Sequence, residues 1–161
     1  MHKEQLVSIG NALVRRGWKL ATAESCTGGL LSQWITSLPG CSRWYCGGVV
    51  AYADATKTAL LGVPASMLSR EGAVSSHVAE AMAQGACKRI PEAHVAVSIT
   101  GIAGPAGERP GKPVGLVYIG LADVTGKVQT RKLQLAGARS DVQIAAGNAA
   151  LEMLYRALFE R

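Results

Sequence analysis

The sequence predicts an α/β protein, a three-layer α/β/α sandwich with a mixed sheet of about five strands. Short apolar runs typical of buried strands alternate with longer segments whose apolar residues follow helical spacing. Two of the runs meet at D-V-T-G, which is typical of an antiparallel hairpin. Hydrophobic residues make up 48% of the chain, enough for a folded core. This order of elements places helices on both faces of the sheet.

The first third of the chain predicts a helix, a strand and a second helix. Apolar residues between positions 6 and 14 recur at helical spacing, and Gly17 ends the pattern. W-K-L-A-T-A (18–23) predicts a short buried strand, and L-L-S-Q-W-I (30–35) predicts the next helix. The segment A-E-S-C-T-G-G (23–29) is therefore expected at a strand-to-helix junction.

The middle of the chain predicts one more strand and two more helices. G-G-V-V-A-Y (47–52) predicts a strand that ends at Tyr52. D-A-T-K-T-A-L-L (54–61) predicts a helix with Asp54 as its N-cap. Ser75 or Ser76 caps a further helix that runs to about Arg89, and the apolar positions of this helix share one face.

The last part of the chain predicts a central strand, a hairpin and a final helix. H-V-A-V-S-I-T (94–100) is apolar enough for a strand inside the sheet, and the Gly- and Pro-rich stretch after it predicts a loop. Residues 114–122 and 128–135 predict the hairpin. Ser140 and Gln143 match a capping box that opens the final helix.

The length of 161 residues predicts a single domain over residues 1–161. No apolar run reaches the roughly 20 residues that cross a bilayer, and the N-terminus lacks the apolar core of a signal peptide, so we expect a cytoplasmic protein that binds no membrane. The four cysteines are expected to stay reduced, and their spacing predicts no metal site. The net charge of +6 is scattered along the chain, which favours a small anionic substrate such as a nucleotide over nucleic acid.

Ser25 is the candidate nucleophile, and a serine hydroxyl needs a base within hydrogen-bond reach. The chain has only His2, His77 and His94, and none is well placed for a Ser-His-Asp triad. Lys57 is the alternative base: a lysine serves if burial lowers its pKa, and the N-terminal dipole of its helix disfavours an added positive charge. Tyr52, at the predicted strand end, either relays a proton or orients this amine.

The four residues after Ser25 are candidates for substrate binding through their backbone. The N–H groups of Cys26, Thr27, Gly28 and Gly29 at a helix start are expected to point at one anionic atom, which is how an oxyanion hole is built. A thiol at Cys26 is also a candidate nucleophile, although no activating group stands near it in sequence.

Each candidate also has a purely structural interpretation. Ser25 is interpretable as only a helix N-cap, and Lys57 as a solvated surface lysine. Tyr52 fits a core aromatic whose hydroxyl reaches the surface. G-I-A-G-P, residues 101–105, fits a tight turn without a ligand.

Several motifs together resemble one known family. A-E-S-C-T-G-G, V-V-A-Y-A-D-A-T-K, G-A-V-S, S-I-T-G-I-A-G-P and K-P-V-G stand in the order and separation typical of nicotinamide-nucleotide amidases, the family of the CinA C-terminal domain. The resemblance covers the chain from about Leu6 to the final helix. It implies hydrolysis of nicotinamide mononucleotide to nicotinate mononucleotide and ammonia, in pyridine nucleotide recycling, without a metal or other cofactor. It also favours a homodimer or higher homo-oligomer.

The resemblance implies a role for each candidate residue. Ser25 is implied to be the nucleophile, Lys57 its general base and Tyr52 a partner in the proton relay. Arg139 is implied to clamp the phosphate, since guanidinium matches phosphate oxygens in bidentate fashion. The rest of the nucleotide pocket is implied to be Thr100, Gly101, Ile102, Ala103 and Gly104.

The chain departs from the family pattern at three positions near this pocket. Ala106 and Ala138 stand where the family commonly has Asp, and Gln143 replaces a frequent arginine. These departures keep a second hypothesis open, a nucleotide-binding or regulatory domain of the same fold with little or no catalysis.

Overall fold

The computed structural model describes residues 2–160, except for the side chain of His2, and contains six α-helices and five strands in this range. A 3-10 turn, Cys41–Arg43, precedes the second strand. The bounds in chain order are α1 (His2–Arg16), β1 (Leu20–Glu24), α2 (Leu30–Thr36), β2 (Tyr45–Val50), α3 (Asp54–Leu61), α4 (Ala65–Glu71), α5 (Ser76–Arg89), β3 (Val95–Gly101), β4 (Leu116–Asp123), β5 (Val128–Gln134) and α6 (Arg139–Phe159).

The strands of residues 2–160 form one mixed sheet in the order β2-β1-β3-β4-β5. β1 runs parallel to β2 and β3, whereas β4 runs antiparallel to β3 and β5. The carboxyl ends of β1, β2 and β3 therefore lie at the same edge, where ligands bind in open α/β sheets. The predicted fold class and the predicted hairpin are both confirmed.

Two hydrophobic clusters cover the two faces of the sheet. On the α6 face, residues of α1, α2 and α6 pack against large aliphatic side chains of the strands, among them Val97, Ile99 and Ile119. On the α5 face, residues of α3, α4 and α5 pack against small ones such as Ala23 and Ala96. Helices thus lie on both faces, as predicted.

Three local details differ from the predictions. β2 ends at Val50, so Tyr52 lies just beyond the strand. Ala53 holds the N-cap position of α3, and Asp54 is the first residue of the helix. The carboxylate of Asp54 there interacts favourably with the positive end of the helix dipole. The helix α4 was not predicted, because only one of its residues, Leu68, is buried and no apolar stripe marks it.

The predicted capping box of the last helix is wrong. The N-cap position is Ala138, and the backbone N–H of Ala138 donates to Oδ2 of Asp141 at 2.8 Å. Asp141 therefore performs the capping that Gln143 was expected to perform, and Ser140 lies inside the first turn. Among the described helices, none is long and apolar enough to cross a membrane.

Candidate active site

Ser25 directly follows β1 and continues its pairing, since its N–H donates to the carbonyl of Ile99 at 2.9 Å. Successive residues of a strand point to opposite faces of the sheet. Glu24 accordingly contacts α2 on the α6 face, and the Ser25 hydroxyl contacts Lys57 of α3 on the α5 face. This alternation separates the Ser25 hydroxyl, the candidate nucleophile, from the carboxylate of Glu24.

The carboxylate of Glu24 is fully buried and is the main polar anchor of the junction. The sequence did not identify this role. α2 begins only at Leu30, because Gly28 and Gly29 have φ values of 61° and 100°, in the left-handed region. The N-cap position of α2 is Gly29, and the Glu24 carboxylate accepts the first N–H groups of the helix, so the interpretation of Ser25 as the N-cap is wrong. Its donors are Thr27 Oγ1 at 2.7 Å, Gly29 N at 3.2 Å, Leu31 N at 3.1 Å, Ser32 N at 2.8 Å and Ser32 Oγ at 2.7 Å.

Lys57 is buried, with 1% of its surface exposed, so it is not a surface lysine. Its Nζ lies 3.1 Å from Oγ of Ser25 and donates to the backbone carbonyl of Tyr52 at 2.9 Å. Burial lowers the pKa of Lys57 below the ordinary value of 10.5, while the charge of Asp54 raises it. The net direction favours the neutral amine that a general base requires.

The two described histidine side chains contact other residues. Nδ1 of His77 lies 2.6 Å from Oε2 of Glu71, and the ring of His94 accepts the N–H of Lys19 at 3.2 Å. The side chain of His2 lies outside the described residues. Among the described side chains, Lys57 is therefore the base that contacts Ser25.

Tyr52 contacts Lys57 through its backbone and not through its phenol. Tyr52 is 61% exposed, so its interpretation as a core aromatic is wrong. Its hydroxyl accepts a hydrogen bond from Nη2 of Arg139 at 3.2 Å, at the mouth of the site. This geometry favours an orienting role for the Tyr52 carbonyl, and the relay through the hydroxyl stays a prediction.

Two side chains near the start of α6 donate hydrogen bonds to neighbouring loops. Arg139 also donates from Nη1 to the carbonyl of Gly104 at 2.8 Å. One turn later, the side-chain amide of Gln143 donates to the carbonyl of Cys26 at 2.9 Å. The sequence assigned Gln143 to a cap, and no local pattern indicates a contact with a residue so far away in the chain.

The backbone donors after Ser25 differ from the prediction. Gly28 N–H donates to the carbonyl of Ser25 at 3.0 Å, and Gly29 N–H is bound to Glu24. Among the described residues, the N–H groups of Cys26 and Thr27 donate to no backbone carbonyl, and Cys26 is the one of the two that lines the cavity beside Ser25. Burial raises the pKa of the Cys26 thiol to about 11, which keeps the thiol neutral and a poor nucleophile.

The candidate site opens into a cavity of about 220 Å³ at the carboxyl ends of the strands. Thr100 shapes one wall, because its hydroxyl donates to the carbonyl of Ala73 at 2.8 Å. Thr27, Gly28 and Gly29 are predicted site residues that do not line it. The cavity is lined by Ser25, Cys26, Tyr52, Lys57, Ala73, Val74, Thr100, Gly101, Ile102, Ala103, Gly104, Ala106, Gly107 and Arg139.

A larger groove of about 780 Å³ lies between α1, β5 and α6. Residues such as Gln5, Leu133 and Tyr155 line it, and it contains none of the residues selected from the sequence. The smaller cavity is lined by the buried amine of Lys57 and by the hydroxyl of Ser25, which contact each other, so it is the candidate active site despite its smaller volume.

Comparisons with known proteins agree with this fold and with these motifs. Residues 3–158 match the CinA C-terminal domain family. A CinA-like protein of Mycobacterium sp. strain JLS is 50% identical over 153 residues, which are 95% of this chain and 36% of that protein. The chain thus spans little more than a third of the length of such curated relatives.

Two solved structures superpose over almost the whole chain. Competence damage-inducible protein A of Klebsiella pneumoniae has a TM-score of 0.93 at 33% identity, over 99% of this chain and 98% of that one. The competence/damage inducible protein CihA of Agrobacterium tumefaciens has a TM-score of 0.93 at 38% identity, over 98% and 94%. On the family match, the identity and the shared fold together, this chain belongs to the CinA C-terminal domain family.

Proposed function

We propose that the protein is a serine amidohydrolase that converts nicotinamide mononucleotide to nicotinate mononucleotide and ammonia. The observation that carries the proposal is the buried amine of Lys57, 3.1 Å from the hydroxyl of Ser25 at the wall of a cavity. This pairing of a nucleophile with a base of lowered pKa is typical of covalent catalysis. The substrate is proposed from the resemblance of the motifs to nicotinamide-nucleotide amidases.

The contacts of Lys57 fit the proton transfers of amide hydrolysis. A neutral amine donates one N–H to the Tyr52 carbonyl and offers its lone pair to the Ser25 hydroxyl. As Oγ attacks the carboxamide carbon, its proton passes to Nζ, and the protonated amine then gives that proton to the departing nitrogen, which leaves as ammonia. Water, deprotonated by the same amine, hydrolyses the resulting ester and restores the Ser25 hydroxyl.

The remaining parts of the site fit a nucleotide amide. The N–H of Cys26, which lines the cavity, is the candidate donor to the oxygen that becomes negative. A cavity of about 220 Å³ suits the planar pyridine carboxamide and is smaller than common pockets for whole ligands, so the ribose phosphate lies at the mouth. Arg139 stands at that mouth and exchanges its Tyr52 and Gly104 acceptors for phosphate oxygens.

The test is an assay of ammonia and nicotinate mononucleotide with the purified protein, by mass spectrometry. We expect turnover that resists chelators. Ser25→Ala should abolish it, and Lys57→Met should lower kcat at least about 100-fold, the usual contribution of a general base. In the wild type, kcat/KM should rise with pH up to the lowered pKa of Lys57, below 10.5, and then level off.

Matched controls are Ser42→Ala and Lys132→Met, both at exposed positions away from the cavity, which should leave turnover unchanged. Undiminished turnover by folded Ser25→Ala would overturn the mechanism. Saturable binding of the nucleotide without ammonia release would identify a non-catalytic domain instead.

A further inference from the structure

The two carboxylate oxygens of Glu24 bind different parts of the chain. Oε1 accepts the N–H and the hydroxyl of Ser32, both within α2. Oε2 accepts the Thr27 hydroxyl and the Gly29 N–H, in the loop that follows Ser25, and also the N–H of Leu31, the second residue of α2. Oε1 therefore contacts only the helix, whereas Oε2 joins the loop that begins at Ser25 to the start of the helix.

We propose that Glu24 is a positioning residue for Ser25, acting through Oε2, which keeps the loop in the shape that holds the serine hydroxyl against Lys57. This inference rests on the proposed function, since it assigns a role in the same reaction. Glu24 does not touch the cavity, because its side chain lies on the opposite face of the sheet from Ser25.

The loop needs an outside restraint of this kind. Gly28 and Gly29 follow the nucleophile closely, and glycine backbone has many accessible conformations. The N–H of Ser25 is fixed by Ile99 and its carbonyl by Gly28, so a change of the loop conformation acts directly on Ser25. Hydrogen bonds to a charged, buried carboxylate are stronger than neutral ones, which makes Glu24 an effective restraint.

A glutamine at position 24 keeps the size of the side chain but not its accepting capacity. Its amide offers one accepting oxygen and an NH₂ group that faces donors, so part of the five-bond set is lost. We expect Glu24→Gln to lower kcat about 100-fold, the effect of a displacement of about 1 Å in a catalytic group, with KM changed little.

The matched pair Thr27→Val and Ser32→Ala separates positioning from stability. Each variant removes one hydroxyl from the same carboxylate, Thr27 from Oε2 and Ser32 from Oε1. Both should lower the melting temperature. Thr27→Val should lower kcat about tenfold, and Ser32→Ala should leave kcat within about twofold of the wild type, because Oε1 does not restrain the loop.

The second readout is the rate at which a fluorophosphonate probe labels Ser25, located by mass spectrometry. Oγ displaces fluoride from the probe, so the rate reports the reactivity of the serine without the nucleotide. It should fall in parallel with kcat in Glu24→Gln and Thr27→Val. If Glu24→Gln does not fold, the Thr27 and Ser32 pair decides the question.

Equal labelling rates per folded molecule in wild type, Thr27→Val and Ser32→Ala would overturn the positioning role while leaving the proposed function intact. If Ser25 of the wild type neither reacts with the probe nor releases ammonia, the proposed function fails, and the inference fails with it.

Discussion

The two faces of the sheet use side chains of different size for different purposes. On the α6 face, Val97, Ile99 and Ile119 fill the space beneath the helices with large apolar groups. On the α5 face, the strand residues are so small that their side chains contact the backbone of the helix. The hydroxyl of Ser98 in β3, for example, donates to the carbonyl of Ala79 in α5 at 2.6 Å. The α6 face is built for burial of apolar area, and the α5 face for close approach.

Close approach on the α5 face extends to the helix that carries Lys57. A Cβ atom placed on Gly85 of α5 would lie 1.8 Å from the carbonyl oxygen of Leu61, at the end of α3. α3 is therefore held tightly against α5, on the face to which Ser25 points. Bulkier residues there would move α3 away, so the difference between the faces explains how a lysine of α3 reaches Ser25.

Ile119→Ala should give the largest change in stability. Ile119 is fully buried on the α6 face, and its truncation leaves a cavity, so we expect a loss of about 2–5 kcal/mol in the free energy of unfolding. Urea unfolding measures this loss. Because the change lies on the face opposite to Lys57, kcat per folded molecule should stay within about twofold of the wild type. A large drop in kcat without unfolding would contradict the separate roles of the two faces of the sheet.

Gly120→Ala changes the neighbouring residue on the other face. The added Cβ would lie 2.4 Å from the carbonyl oxygen of Ala79, so α5 must move. We expect a loss of about 1–3 kcal/mol by overpacking, smaller than at Ile119, with a clear fall in kcat because α3 moves with α5. An unchanged kcat would show that close packing does not place Lys57. Gly126→Ala, in an open turn, has a strained φ of 88° but no close neighbour, and it should not alter kcat.

Lys57→Met should give the smallest change in the free energy of unfolding, and this change should stabilise the fold. A buried amine of lowered pKa destabilises the fold wherever it is protonated, so an apolar replacement of similar length should add about 1 kcal/mol near neutral pH. Between the folded pKa of Lys57 and 10.5, the unfolded chain binds a proton that the folded one does not, so wild-type stability rises with pH. The advantage of the variant is thus full below the folded pKa and shrinks towards pH 10.5.

Thermal unfolding across this pH range measures the effect, as a rise in Tm of about 2–4 °C for each kcal/mol. A variant that is less stable than the wild type at neutral pH would mean that the contacts of Lys57 outweigh its burial.

The order and type of most elements were predictable, because apolar periodicity directly reports which side of a helix or strand is buried. The helix α4 was not, since its single buried Leu68 leaves no period to detect. At the start of α6, Ser140 and Asp141 are both capping types, and sequence alone does not rank them.

The site was predictable only in part. Ser25, Tyr52 and Thr100 were predicted at strand ends, and Lys57 was selected from its position early in a helix. The burial of Lys57 follows from how α3 packs, which no local pattern reports. Glu24 stood in a recognised motif without a role, because its partners come from a helix whose start depends on two glycine conformations.

The first two turns of α6 contact residues that lie much earlier in the chain, so completion of the candidate site depends on the late synthesis of α6. Gln143 meets Cys26 across 117 residues, and Arg139 meets Tyr52 across 87. At the usual rates of about 5–20 residues per second, the ribosome delivers Gln143 roughly 6 to 24 seconds after Cys26. Under the proposed function, Ser25 is synthesised before the residues of α6 that contact its site, so the site is complete only after α6 has docked.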